Sequence, residues 1–148
     1  MKTFLLKRLL KLLPTYTAFA HCDVPCGIYD PKPAQIAAAT VLKMVQKIKE
    51  LPTNGSPEEI LQVRNSFVRM VWTKEEHARR CKEELLILWT DYFKQEQLQI
   101  FPNLHDTFWK AAKLCSKNKQ EVNLDAANEL IKAIDEIADV FYKTKAPK

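Results

Sequence analysis

Glycine is scarce in this chain of 148 residues, which contains only Gly27 and Gly55. Two glycines are too few for the tight turns of an all-β fold, and no glycine-rich loop that binds phosphate groups is present. No segment alternates apolar and polar residues for long enough to predict a convincing strand. Because 47% of the residues are hydrophobic and 28% are charged, we expect one ordinary globular core.

Long hydrophobic runs are also missing, since no stretch approaches the ~20 apolar residues that span a bilayer. The net charge is +5, but the first twenty residues carry four of these charges and no acidic residue. Residues 21–148 therefore carry only +1, which is not the electrostatic footprint of a nucleic-acid-binding protein. The composition predicts neither stable membrane insertion nor a nucleic-acid partner.

Residues 1–20 form a basic, leucine-rich leader that ends in Ala18-Phe19-Ala20, a pattern similar to the cleavage site of an export signal. Three basic residues interrupt the leucines, which is more typical of a short amphipathic helix than of an uninterrupted signal core: Lys7, Arg8 and Lys11. Composition alone leaves an export signal and a cytoplasmic propeptide equally open.

The apolar residues of the body recur at helical spacing and predict an all-α, antiparallel four-helix bundle over residues 33–148. The predicted helices cover 34–51, then one long helix from Ser56 through the stripe ending at Tyr92, then segments starting after Asn103 and after Asn123. A break in the long helix near Thr73 is the less favoured alternative. The stripe of the long helix is predicted to face the core: Ile60, Val63, Phe67, Val71, Ala78, Cys81, Leu85, Leu88 and Tyr92.

Cys81 and Cys115 lie on apolar stripes, and we expect both to be buried core residues rather than half of a disulfide framework. The charge-rich stretch 74–84 is predicted to be a solvated helix face with ion pairs. Function must then come from residues 21–32, which we interpret as an N-terminal metal-binding hook.

The hook contains the string HCDVPCGIYDP at residues 21–31. If the chain were cut after Ala20, His21 would offer a free α-amine and an imidazole, Cys22 its amide nitrogen and thiolate, and Cys26 a second thiolate. These groups can form a planar set of two nitrogens and two sulfurs with the imidazole above it. Such a set suits Ni(II) or Cu(II) better than zinc, which prefers a tetrahedral site, and indicates a one-electron redox centre.

Four further residues of the string are predicted to support this site. Asp23 can accept backbone hydrogen bonds, and Pro25 restricts the turn and allows a cis peptide. Gly27 permits a positive φ or a close backbone approach. Tyr29 places a phenol where it could order water or substrate.

The pattern His-Cys-Asp-x-Pro-Cys-Gly-x-Tyr-Asp-Pro resembles the nickel hook of nickel-containing superoxide dismutases. A second segment, LWTDYFK at 88–94, is similar to the end of that family's long second helix, and the likeness extends over residues 21–145. The resemblance implies one nickel ion per subunit, held by His21, Cys22 and Cys26, with Asp23, Pro25, Gly27 and Tyr29 around it and the Tyr92 phenol behind the hook.

The resemblance also implies the reaction: two superoxide anions become dioxygen and hydrogen peroxide as nickel alternates between Ni(III) and Ni(II). It implies a homohexamer, removal of the leader by a processing protease, and a cytoplasmic location, with export as the alternative. An uncut chain has a peptide bond where the ligating amine should be, so the leader would prevent the site from forming.

The sequence departs from the family at two positions that support the axial imidazole. A glutamate on the first helix is replaced by Ala37 and an arginine on the second by His77. We hypothesise that His77, directly or through water, replaces this support. The alternative is that His77 is a helix-surface residue beside Glu76 and Arg80.

Two other interpretations predict different behaviour. A zinc- or copper-binding helical protein without redox turnover would show no nickel-dependent activity. A helical interaction protein, with a leader that binds membranes and a motif that is only a turn, would be indifferent to cleavage between Ala20 and His21.

Overall fold

The computed structural model describes residues 27–145, which are almost entirely helical and contain no strand. The elements are α1 (Lys32–Lys49), α2 (Pro57–Ile87), a π-helical segment (Leu88–Tyr92), α3 (Gln95–Ile100), α4 (Leu104–Gln120) and α5 (Leu124–Lys145). The π-helical segment continues α2 directly. Short α3 was not predicted.

The four long helices form the predicted antiparallel bundle. Helix α1 packs against α2 and α5, and α4 packs against the same two helices. The Gln35 side chain of α1 donates to Asp135 of α5 at 2.9 Å. The beginning of α1 and the end of α5 meet near Asp30 and Tyr142, so the two helices are antiparallel. The residues that fill the centre come from all four long helices, among them Val41, Leu85, Phe108 and Ile134.

The start of α2 follows from its first residues. The Ser56 side chain accepts the Glu59 N–H, the Glu59 carboxylate accepts the Ser56 N–H at 2.8 Å, and Pro57 occupies the first turn. This capping box satisfies donors that otherwise lack partners at a helix start. The helix continues without a break at Thr73, as predicted, although its last residues before Phe93 widen into the π-helical turn.

Burial confirms part of the predicted stripe. Ala78, Cys81, Leu85 and Leu88 are buried, but Phe67 is 44% exposed, so its predicted core position is wrong. The reason is the length of α4: its last turn lies opposite the middle of α2, and the first half of α2 has no α4 beside it. Cys115 is fully buried, as is Cys81, which confirms both thiols as core residues.

Lys74 contradicts the prediction that residues 74–84 form a solvated face, because its side chain is only 1% exposed. Its ammonium donates to the backbone carbonyls of Asn118, Lys119 and Glu121, the latter two at 2.9 and 3.0 Å. These are carbonyls that the end of α4 leaves without helical partners. Burial lowers the pKa of Lys74, and the charge of the neighbouring Glu75 opposes this shift. A cation from α2 thus caps α4.

The rest of the charged stretch behaves as predicted. Glu76 forms ion pairs with Arg79 at 2.7 Å and Arg80 at 2.9 Å, and hydrogen bonds from these two arginines lower the pKa of Glu76 to about 2. Among the helices of residues 27–145, none combines the length and the apolar composition needed to cross a membrane.

Candidate metal centre

The predicted donors His21, Cys22 and Cys26 lie outside the described residues, as do Asp23 and Pro25. Within residues 27–145, no group of three or more His, Cys, Asp or Glu side chains is placed to hold a metal ion. The described residues therefore include the base of the hook, from Gly27 onward, and the residues that this base contacts.

Gly27, directly after Cys26, has a φ of +70°. This left-handed conformation is one that a residue with a Cβ adopts only with strain. A Cβ built at Gly27 would meet no atom of the described residues within 4 Å, so the backbone conformation is what favours glycine here.

The Asp30-Pro31 dipeptide turns the hook into the first helix. The Asp30 carboxylate accepts the Lys32 N–H at 2.7 Å, and the Pro31 carbonyl accepts the Gln35 N–H at 3.1 Å. Pro31 itself is buried. An Asp side chain that bonds the backbone two residues later fixes a local turn, so the start of α1 holds the base of the hook in one direction.

Tyr29 packs against Tyr92, with ring centroids 5.5 Å apart and an interplanar angle of 56°. Tyr92 is itself fixed by edge contacts with Phe93 at 4.9 Å and by the Phe141 ring at 4.5 Å. Tilted pairs at such distances are favourable arrangements for aromatic quadrupoles. The two tyrosines that the sequence associated with the hook are therefore neighbours.

The π-helical segment positions Tyr92. The Phe93 N–H donates to the Leu88 carbonyl at 3.1 Å, a bond that spans five residues and closes the wide turn. Trp89, in the middle of the turn, stacks on Phe108 and donates its indole N–H to His105 Nδ1 at 2.7 Å. Since an indole nitrogen can only donate, His105 accepts through Nδ1. These contacts fix the turn to α4.

The last turn of α5 supplies contacts that sequence reasoning missed. Lys145 Nζ donates to the Tyr29 carbonyl at 2.9 Å, Thr144 Oγ1 lies 2.7 Å from the Tyr92 hydroxyl, and the Tyr142 hydroxyl is 3.5 Å from Asp30. Burial, together with the Asp30 charge, raises the pKa of the Tyr142 phenol. No motif marks these residues, because their role depends on where α5 ends in space.

Known proteins are similar to this chain in both sequence and fold. The family model for nickel-containing superoxide dismutase matches residues 16–145. The chain belongs to this family. Nickel superoxide dismutases from Streptomyces seoulensis and Streptomyces coelicolor are each 31% identical over 132 residues, which cover 89% of this chain and 93% of the relative.

Solved structures of nickel superoxide dismutase superpose on the bundle. A native structure gives a TM-score of 0.71 at 30% identity, covering 85% of this chain and 100% of the other. A structure whose nickel ligation corresponds to the oxidised state gives 0.73 at 31% identity, covering 84% and 98%. The protein is accordingly a nickel-dependent superoxide dismutase, an oxidoreductase with a nickel cofactor, and the two other interpretations are not favoured.

Ala37 and His77 lie at one level of the bundle. Met44 of α1 and Met70 of α2 line the same surface cavity, which sets the register of the helix pair. Ala37 lies two turns before Met44, and His77 lies two turns after Met70, so the antiparallel register brings these positions to a common height. Ala37 is buried against the core and His77 is half-buried.

Proposed function

We propose that the mature enzyme begins at His21 and holds nickel through the His21 amine and imidazole, the Cys22 amide nitrogen and thiolate, and the Cys26 thiolate. The observation that carries this proposal is the fixed base of the hook. Tyr29, which lies three residues after Cys26, packs on Tyr92, and its backbone carbonyl accepts a hydrogen bond from Lys145. An anchored base of this kind supports a metal site formed by residues 21–26, which directly precede it in the sequence.

The fate of the other cysteines supports the donor set. Cys81 and Cys115 are fully buried in the core. A hydrogen bond with Cys115, together with burial, raises the pKa of the Cys81 thiol, which disfavours the thiolate that a metal requires. Of the four cysteines in the sequence, Cys22 and Cys26 are then the candidates for ligation.

The histidines support the same assignment. The chain has three, of which His105 accepts the Trp89 indole N–H and His77 lies within 2.9 Å of the Thr73 carbonyl. Among residues 27–145, neither of these two histidines belongs to a group of three or more His, Cys, Asp or Glu side chains placed to hold a metal ion, which supports His21 as the ligand. An imidazole, an amine, an amide nitrogen and two thiolates match the tetragonal nitrogen and sulfur environment that suits nickel.

When bound, nickel would supply the one-electron Ni(III)/Ni(II) couple through which two superoxide anions and two protons become dioxygen and hydrogen peroxide. The Tyr29 phenol is the group that we propose orders water or substrate beside the site. Thr144 Oγ1 donates to the Phe141 carbonyl at 2.7 Å, so it accepts the hydrogen of the Tyr92 hydroxyl. Tyr92 is thereby held as a fixed backing for Tyr29.

We further propose that a processing protease removes residues 1–20 and that the enzyme is cytoplasmic, with export as the alternative. The propeptide that is usual in the family supports this location, since the composition of the leader alone leaves a propeptide and an export signal equally open. Removal of the leader is what frees the amine of His21.

Cleavage gives the first test. We compare a chain that starts at His21 with a chain that starts at Ala20. The two differ by one residue, and in the longer chain the α-amine of His21 is replaced by a peptide amide. The chain that starts at His21 should bind one nickel ion per subunit in a nickel titration and accelerate superoxide decay. The longer chain should be at least a hundredfold less active. Loss of a residue that only supports a metal ligand can already reduce activity about a hundredfold, and here a ligand itself is lost. Equal nickel binding and activity in the two chains would contradict the proposed ligand set.

We also propose that His77 supports the imidazole of His21. Because the Thr73 carbonyl can only accept, His77 Nδ1 carries a hydrogen, and in the neutral ring Nε2 is then an acceptor. A ligating imidazole usually donates its second N–H to such an acceptor. The tautomer of His77 is therefore suited to this support, directly or through water.

Replacing His77 tests this role. His77→Ala should change the Ni(III) electron paramagnetic resonance spectrum and lower turnover by about tenfold, the lower range for loss of a support to a metal-binding histidine. His77→Gln, which keeps an acceptor, should retain more activity. Arg80→Ala, on the same helix and paired with Glu76, serves as the control. An unchanged spectrum and turnover in His77→Ala would reject the role and favour a surface histidine.

Assembly into a homohexamer is the last part of the proposal. The first half of α2 exposes apolar side chains at spacings of seven and four residues, which place them on one face: Leu61 (63% exposed), Val68 (65%) and Trp72 (74%). An apolar stripe that is exposed in this part of the chain supports a contact between subunits.

The mass in solution tests the assembly. Sedimentation equilibrium of the trimmed, nickel-loaded enzyme should give six subunits, and Trp72→Phe should preserve that mass because it keeps an apolar ring. Trp72→Glu should lower the mass by placing a charge in the contact. A wild-type monomer would contradict the hexamer, and an intact hexamer in Trp72→Glu would remove α2 from its interface.

A further inference from the structure

The end of α5 touches the base of the hook at several points. Lys145 Nζ donates to the Tyr29 carbonyl at 2.9 Å and lies 4.7 Å from the centre of the Phe141 ring. Phe141 is fully buried, so it provides an immobile surface for the ammonium. A cation above an aromatic face is attracted to it, which restricts the long Lys145 side chain to the position that reaches Tyr29.

Neighbouring residues of the same turn hold the surroundings of Tyr29. Thr144 accepts from the Tyr92 hydroxyl at 2.7 Å, and Tyr92 packs on the Tyr29 ring. The Tyr142 hydroxyl approaches Asp30, whose carboxylate already accepts the Lys32 N–H. The Tyr29 backbone is thus held by Lys145, its ring rests on a tyrosine fixed by Thr144, and the next residue is fixed to α1.

We propose that Lys145 is a positioning residue for the nickel hook, which it aims by holding the Tyr29 carbonyl. The proposal rests on the ligand set given above, because Cys26 is the donor closest to this contact along the chain. Only Gly27 and Ile28 separate Cys26 from Tyr29, and Gly27 is the residue with the left-handed φ. A change in the direction of the chain at Tyr29 would therefore displace the Cys26 sulfur.

The alternative role for Lys145 is a general one, since basic residues near the C-terminus of a helix interact favourably with its dipole. Lys143 lies in the same last turn of α5, is exposed and carries the same charge. Lys143→Met would remove the same favourable charge but not the bond to Tyr29, and it is therefore the matched control.

The first measurement uses the trimmed, metal-free protein. Amide hydrogen exchange in residues 27–32 should be about three to ten times faster in Lys145→Met than in the wild type, the range expected for loss of one partly solvated, charge-assisted hydrogen bond. Lys145→Arg should restore protection because it keeps a charged donor, and Lys143→Met should match the wild type. Exchange in α1 and α4 should stay the same in all variants.

The second measurement adds nickel. Lys145→Met should bind the ion more weakly by a similar factor in competition with a chelator, and its Ni(III) electron paramagnetic resonance spectrum should differ, with both effects reversed in Lys145→Arg. Wild-type exchange rates in Lys145→Met, or the same acceleration in Lys143→Met, would overturn the proposal. Hydrogen exchange is measured on the metal-free protein, so it tests the role of Lys145 independently of nickel binding. A wild-type protein that bound no nickel would refute the proposed ligand set instead.

Discussion

Tyr29 precedes the first helix of an antiparallel pair and Tyr92 follows the second, and their rings meet 5.5 Å apart at one end of the bundle. Helix α5 runs antiparallel to α1 and ends at the same place, where Lys145 reaches the Tyr29 carbonyl. Three chain segments therefore converge at the base of the hook. This convergence depends on the topology, because reversing the direction of any of these helices would move its contact residue to the opposite end of the bundle.

The polar contacts of the bundle have two different tasks. At the end of α4, Lys74 and Asn118 satisfy backbone groups: Asn118 Nδ2 donates to the Leu114 and Ala126 carbonyls at 3.0 and 2.9 Å and ties α4 to α5. These buried groups specify how helices meet, since leaving them unpaired is costly. At the hook, by contrast, Lys145 and Asp30 are exposed and hold a single loop. Contacts of this kind contribute little to global stability but can fix local direction.

Much of this was predictable because it depends on local chemistry. Apolar residues at helical spacing gave the long helices, and Ser56 with Glu59 marked the start of α2 because a capping box requires only neighbouring residues. The hook residues were recognisable because the proposed ligands of the nickel ion lie within a few positions of the sequence. Tyr29 was associated with the hook because it lies within the motif, whereas Tyr92 was associated with it only through resemblance to the family.

Other features depend on tertiary contacts that no local pattern encodes. Lys74 is buried because the end of α4 presents three carbonyls to it, and a lysine in a charged stretch otherwise predicts exposure. Phe67 is exposed because α4 stops short of it. The π-helical turn at Leu88–Tyr92 depends on Trp89 reaching His105 and Phe108. Lys145 acquires its role only through the length and direction of α5.

The central claim, that two hook thiolates bind nickel while the core thiols do not, is tested most directly by nickel K-edge X-ray absorption. The sample is the trimmed enzyme in which Cys81 and Cys115 are both replaced by serine. The account predicts two sulfur neighbours per nickel with the remaining ligands nitrogen, unchanged from the wild type. Loss of sulfur scattering in this variant, or an all-nitrogen and oxygen shell in the wild type, would contradict it.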